Sequence, residues 1–135
     1  MYLVDTNVIS ELSKRHANAA VVNWFSTQRT LALSAITLEE LTYGVERIPV
    51  EQSARLRQWF YKLLAIPPLV VAVDDRIAQL AGRLRAGRER AGRPVTQADM
   101  LIAATALVSG RILVTRNAKD FYDCGVTVLN PFTDP

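Results

Sequence analysis

The chain has 135 residues, half of them hydrophobic and 21% charged, with 16 Lys and Arg against 13 Asp and Glu for a net charge of +3. Such a length suits one domain, residues 1–135, that buries roughly two thirds of its unfolded surface, and the composition excludes a disordered or low-complexity protein. With no apolar run near the roughly 18 residues of a membrane span, no signal-like start and a lone Cys124, a soluble cytoplasmic protein is expected, without disulfides or a cysteine-rich zinc site.

Short apolar runs alternate with helical stretches from the first residue onward. Met1 to Val4 reads as a buried strand and is followed at once by Asp5, where an unpaired carboxylate costs several kcal/mol, roughly 2–7 for a polar group and more for a charge. Asp5 therefore either caps the helix beginning near Asn7 or holds something. Helical patterns over Val8 to Ser13 and Ala19 to Phe25 come next, with His16 solvated between them among Lys14, Arg15 and Asn18. A strand at Leu31 to Leu33 precedes helices over Leu38 to Arg47 and Glu51 to Leu64, separated by Pro49, which cannot donate within a helix. Trp24, Phe25, Trp59, Phe60 and Tyr61 lie in these helices, spaced as core residues, with a partner groove as the second reading.

The second half repeats the alternation. A strand over Leu69 to Val73 leads through Asp74-Asp75, read as a capping pair rather than a phosphoacceptor, into a helix over Asp75 to Arg90. Arg83, Arg85, Arg88, Arg90 and Arg93 crowd that stretch, either as a solvated face or as a phosphate- or partner-binding surface. Gln97 to Ser109 forms the last long helix, with Gly110 as its C-cap. Strands at Ile112 to Thr115 and Val126 to Leu129 complete the chain. The alternation implies an α/β fold, a three-layer sandwich in which helices flank a short, mainly parallel sheet.

Three stretches place an acid three residues after a Thr or Asn: Thr37 and Glu40, Thr96 and Asp99, Asn117 and Asp120. Singly, each reads as a capping box. Jointly with Asp5 they mean more, because helices that follow parallel strands start at the carboxyl edge of the sheet, where ligands bind near a topological switch point. Four carboxylates, Asp5, Glu40, Asp99 and Asp120, thus converge on one side and would repel one another without a cation among them. Oxygen donors with neither Cys nor His nearby favour Mg²⁺ or Mn²⁺ over zinc. Setting those four aside leaves 16 basic against 9 acidic residues, net +7, a body suited to a nucleic acid backbone. No Walker loop, Gly-Xaa-Gly-Xaa-Xaa-Gly fingerprint or nucleophile elbow occurs, which leaves nucleotide-cofactor and Ser-His-Asp chemistry without support.

The motifs Val4-Asp5-Thr6-Asn7, Thr37-Leu38-Glu39-Glu40-Leu41-Xaa-Xaa-Gly44, Asp99-Xaa-Xaa-Ile102-Ala103-Ala104-Xaa-Ala106 and Leu113-Val114-Thr115-Arg116-Asn117-Ala118-Lys119-Asp120-Phe121 resemble, in order and spacing, those of PIN-domain ribonucleases of the VapC toxin type. The resemblance covers nearly the whole chain. It implies that Asp5, Glu40, Asp99 and Asp120 are the acidic, metal-binding quartet and that Thr6, Asn7, Thr115 and Asn117 support it. It further implies a Mg²⁺- or Mn²⁺-dependent endoribonuclease with an RNA substrate, a small and DNA-binding antitoxin partner, and a homodimer. An Arg of the antitoxin inserted among the acids is the natural means of inhibition. Two other readings compete: a regulatory binding module with little turnover, and a metal-dependent nuclease acting on DNA.

Overall fold

The computed structural model describes residues 1–65 and 68–134. Five short strands, β1 (Tyr2–Val4), β2 (Ala32–Ser34), β3 (Leu69–Val71), β4 (Ile112–Val114) and β5 (Val128–Leu129), alternate with six helices. These are α1 (Thr6–Leu12), α2 (Ala19–Ser26), α3 (Ala35–Glu46), α4 (Ala54–Ala65), α5 (Asp75–Arg90) and α6 (Gln97–Ser109). Each paired strand runs parallel to its neighbour: β1 with β4, β4 with β5 and β2 with β3. Ladder bonds join β1, β4 and β5 into one sheet and β2 and β3 into a second; because β2 lies beside β1, the layer reads β3-β2-β1-β4-β5, and the connections diverge on either side of β1. Parallel strands put their carboxyl ends at one edge, with the switch point beside β1.

Alternation along the strands divides the core in two. Leu3, Ala32 and Leu113 face α5 and α6, where Ile77, Ala81, Met100 and Phe121 meet them. Val4, Leu33 and Val114, one residue on, face the opposite way into Val8, Ile9, Val21, Leu41, Val45 and Phe60 from α1 to α4. Burying a side chain the size of Leu113 or Ile9 contributes about 1.5–3 kcal/mol, and both are fully buried. The expected three-layer α/β sandwich is present. Trp24, Phe25 and Trp59 pack against the second cluster and Phe60 belongs to it, whereas Tyr61 points outward.

The helix ends explain why the acids stand where they do. Asp5, in extended backbone, caps α1 by accepting from the Thr6 N–H at 2.7 Å. Thr96 caps α6 by accepting from the Asp99 N–H at 3.1 Å, and Gly110 ends that helix at φ 65°, a left-handed conformation that glycine adopts without a Cβ clash. Asp74 caps α5 through the Ile77 N–H, which accounts for the Asp74-Asp75 pair. One expected cap is replaced by another. Ser34, not Thr37, caps α3 by accepting from the Ile36 N–H, so the helix starts three residues earlier than the Leu38 expected and Glu40 lies in its second turn. Thr37 is fully buried instead. Nor does the Asn117 side chain cap the short 3-10 turn Ala118–Phe121 that carries Asp120. Among the described residues, no helix is long and apolar enough to cross a membrane.

Candidate active site

At the carboxyl end of β1 the Asp5 carboxylate is 4% exposed. Its Oδ2 accepts from the Thr115 hydroxyl at 2.8 Å and from the Asn7 amide at 3.4 Å, which ties the ends of β1 and β4 together. The Thr115 hydroxyl also lies 3.3 Å from Asn7 Nδ2 and accepts from the Asn117 N–H at 3.1 Å. Asn117 thus takes part through its backbone; its side chain is exposed and makes no hydrogen bond among the described residues. Across the recess the Thr6 hydroxyl donates to Glu40 Oε1 at 2.6 Å and lies 3.2 Å from the buried Thr37 hydroxyl. α3 therefore carries Glu40 to the end of β1 despite its place in the second turn.

These groups line a recess of about 430 Å³, bounded by Asp5, Thr6, Asn7, Glu40, Asp99 and Arg116. Asp99 also borders an adjoining recess with Asp120 and Thr96, so it links the two hollows. The expected quartet forms a row along the edge of the sheet rather than one tight cage. Among the described residues, no three carboxylate, imidazole or thiol groups stand close enough to hold one ion by themselves. A separate apolar recess of about 400 Å³, lined by Phe25, Leu31, Leu63 and Leu69, carries no acid.

Charge in the row is under strain. Burial pushes the Asp5 carboxyl up to about 6 from its ordinary 3.8, Asp99 and Glu40 add to that rise, and the hydrogen bonds from Thr115 and Thr6 oppose it. Burial likewise raises Asp99, with Asp120 and Glu40 contributing, against its bond at Thr96. Among the described residues, no Lys or Arg forms an ion pair with any of the four; the ion pairs join Lys14 to Glu11, Arg57 to Glu46, Arg85 to Glu89 and Arg93 to Asp123. A row of carboxylates held by hydroxyls and amides, with no side-chain cation paired to it among the described residues, is the decisive geometry. A family model described as the PIN domain matches residues 2–125.

The chain belongs to the PIN domain family. The "Plasmid stability protein StbB" of Pseudomonas syringae pv. tomato is 37% identical over 98% of this PIN domain chain and 99% of its own length. The "VapC ribonuclease Y4jK" of Sinorhizobium fredii is 34% identical, with 98% of each chain covered. Among solved structures, the FitAB complex bound to a DNA fragment contains a chain that superimposes with a TM-score of 0.84 at 30% identity, covering 100% of this chain and 98% of that one.

Two residues of this PIN domain escaped the sequence reading. Glu11 is 7% exposed, accepts from Lys14 Nζ and the Asn18 N–H at 2.9 Å each, and has its carboxyl held below the usual range, chiefly by the Lys14 hydrogen bond. Its spacing of three from Lys14 was the available signal. Arg88 belongs to neither reading of the arginine run. It is buried, and its Nη1 donates to the carbonyls of Asp120 and Tyr122 at 3.0 Å each, pinning the turn that carries Asp120 to α5. No local spacing rule marks such a residue.

Proposed function

We propose that this chain is a Mg²⁺- or Mn²⁺-dependent endoribonuclease and the toxin of a toxin-antitoxin pair. The observation that carries the reading is the buried Asp5 carboxylate, facing Glu40 and Asp99 across a recess in which no side-chain cation pairs with them. The donor set fits a hard divalent cation: it is all oxygen, anionic and set by neighbouring hydroxyls. Its openness fits as well, because Mg²⁺ keeps several waters and is bound through one or two carboxylates together with substrate phosphate. Asp5 and Asp99 would be the principal holders of the cation, and Glu40 and Asp120 would serve as further ligands or orient water toward the phosphodiester. Thr115 and Asn7 fix the Asp5 carboxylate, and Thr6 fixes that of Glu40, as ligating carboxylates require.

When bound, the cation supplies positive charge to the phosphate oxygens and acidifies water at neutral pH. Carboxylates left over then accept the proton of the attacking water, and no histidine base is needed; His16 is exposed and absent from the recess. Hydrolysis of this kind leaves 5′-phosphate and 3′-hydroxyl ends. End-labelled structured RNAs, incubated with the protein in Mg²⁺, Mn²⁺ or EDTA beside DNA of matched sequence, test the assignment. Cuts confined to RNA with metal are expected. Equal cutting of DNA would replace the substrate class, and cutting undiminished by EDTA would remove the metal.

The relatives' names and the FitAB complex support a small DNA-binding antitoxin as partner. An unpaired acidic recess takes a guanidinium as readily as a metal, since both answer the same charge. An inhibitory Arg of the antitoxin in that recess should therefore compete with Mn²⁺. Antitoxin binding that Mn²⁺ leaves unchanged at any concentration contradicts this mode of inhibition.

A further inference from the structure

The acidic recess has one arginine on its rim, Arg116, and among the described residues it has no carboxylate partner. Glu11, whose carboxyl Arg116 helps to hold low, takes its hydrogen bonds from Lys14 and the Asn18 N–H instead. The backbone of Arg116 is clamped on both sides: its N–H donates to Asn7 Oδ1 at 3.1 Å, and its carbonyl accepts from Asn130 Nδ2 at 3.2 Å. Its guanidinium lies 4.7 Å from the centroid of the Phe132 ring. Asn130 holds that ring as well, because its Oδ1 accepts from the Phe132 N–H at 3.0 Å. The turn that follows is closed by bonds from the Thr133 and Asp134 N–H groups to the Asn130 carbonyl. One asparagine thus positions both the cation and the aromatic face beneath it, and Asn7 ties the same cation to the residue pair that fixes Asp5.

A long side chain ordinarily gives up rotamer freedom on binding, about 0.5–1.5 kcal/mol for an interface residue. Here the Phe132 face and the backbone clamps have already restricted it. A planar guanidinium with its donor edge free matches two oxygens of a phosphate, which an ammonium does not. Resting on the nuclease reading above, we infer that Arg116, steadied on Phe132, is a substrate-positioning residue that binds an RNA phosphate next to the scissile bond, on the Asn7 side of the recess. It completes the row chemically, because the carboxylates repel the backbone that they must act upon and, of the two cations on the rim, Lys14 is taken up by Glu11 and Arg116 is left unpaired among the described residues.

The test is fluorescence anisotropy of a labelled single-stranded RNA oligonucleotide with the full chain in EDTA, between 50 and 200 mM salt, with melting temperatures measured alongside. One lost phosphate contact lowers the slope of log K against log salt by about 0.7 for a single strand, or about fivefold in affinity at 0.1 M. Arg116→Gln is expected to show both changes with its melting temperature near that of wild type. Arg116→Lys should keep the slope, since the charge remains. Phe132→Leu should keep the slope and lose part of the affinity. Wild type and Arg116→Gln with the same slope and affinity, whether or not the variant melts earlier, overturn the inference and leave the nuclease reading standing. A wild type that binds RNA at no salt concentration in EDTA overturns the inference as well, and one that also cuts no RNA in Mg²⁺ or Mn²⁺ overturns the nuclease reading.

Discussion

Asp99→Asn is expected to cut RNA cleavage by about a thousandfold while making the metal-free protein more heat-stable. The first effect follows from removing charge that holds the cation, whose stabilisation of the reacting phosphate is worth several kcal/mol, each 1.36 kcal/mol being tenfold in rate. The second follows because burial, Asp120 and Glu40 all penalise the ionised carboxylate. The cap of α6 survives the change, since Thr96 accepts from the Asp99 backbone N–H, and only its bond to the Asp99 carboxylate weakens. A melting temperature that falls instead would show that local bonding at Asp99 outweighs repulsion.

Asp5 predicts a matching dependence on pH. Below its ordinary 3.8 the carboxyl is protonated in both states; between 3.8 and about 6 only the folded chain keeps the proton, so stability falls as pH rises. The shift amounts to about 3 kcal/mol by pH 7. Asp99 acts in the same direction, whereas Glu11, whose carboxyl is held low, acts in the opposite one. Urea unfolding of EDTA-treated protein from pH 4 to 7 should therefore show declining stability that Mg²⁺ restores at the upper end. A profile that rises throughout contradicts the cost assigned to Asp5.

Arg88→Met is expected to destabilise the protein by about 2–4 kcal/mol. Two hydrogen bonds from a charged donor are lost, each worth about 1.5–3 kcal/mol, and removing a buried charge offsets part of that. The Arg88 Nε, buried without a partner, belongs to that offset. Faster hydrogen exchange should be confined to the turn around Asp120 and Tyr122, whose carbonyls Arg88 holds. Cleavage should fall as well, because Asp120 loses its anchor. Unchanged urea unfolding together with unchanged exchange would mean that the turn holds itself.

These expectations show where local sequence carries the fold and where it does not. α5 and α6 begin and end at the residues expected from periodicity and capping, Asp75 to Arg90 and Gln97 to Ser109, because strong caps lie at their boundaries. The start of α3 was misplaced for a physical reason: Ser34 and Thr37 are both able to cap, and the burial of Thr37 beneath Thr6 decides between them. The acids stood out because each follows a strand end or a helix start, positions that a parallel sheet brings to one edge. Asp5 proved to be a cap and a member of the acidic row at once, so the two readings were never exclusive. Arg88 and the Arg116–Phe132 pair were illegible because their roles depend on neighbours that only the folded chain brings close, whereas Glu11 carried a local signal in its spacing from Lys14.

Asp5 is expected to hold a divalent cation. Mn²⁺ binding, followed by the loss of the free-ion electron paramagnetic resonance signal at pH 7, measures it without reference to any substrate. Wild type is expected to take up Mn²⁺ saturably and Asp5→Asn to bind it at least tenfold more weakly. A wild type that leaves Mn²⁺ free, or an Asp5→Asn variant that binds it equally well, would reduce Asp5 to the cap of α1.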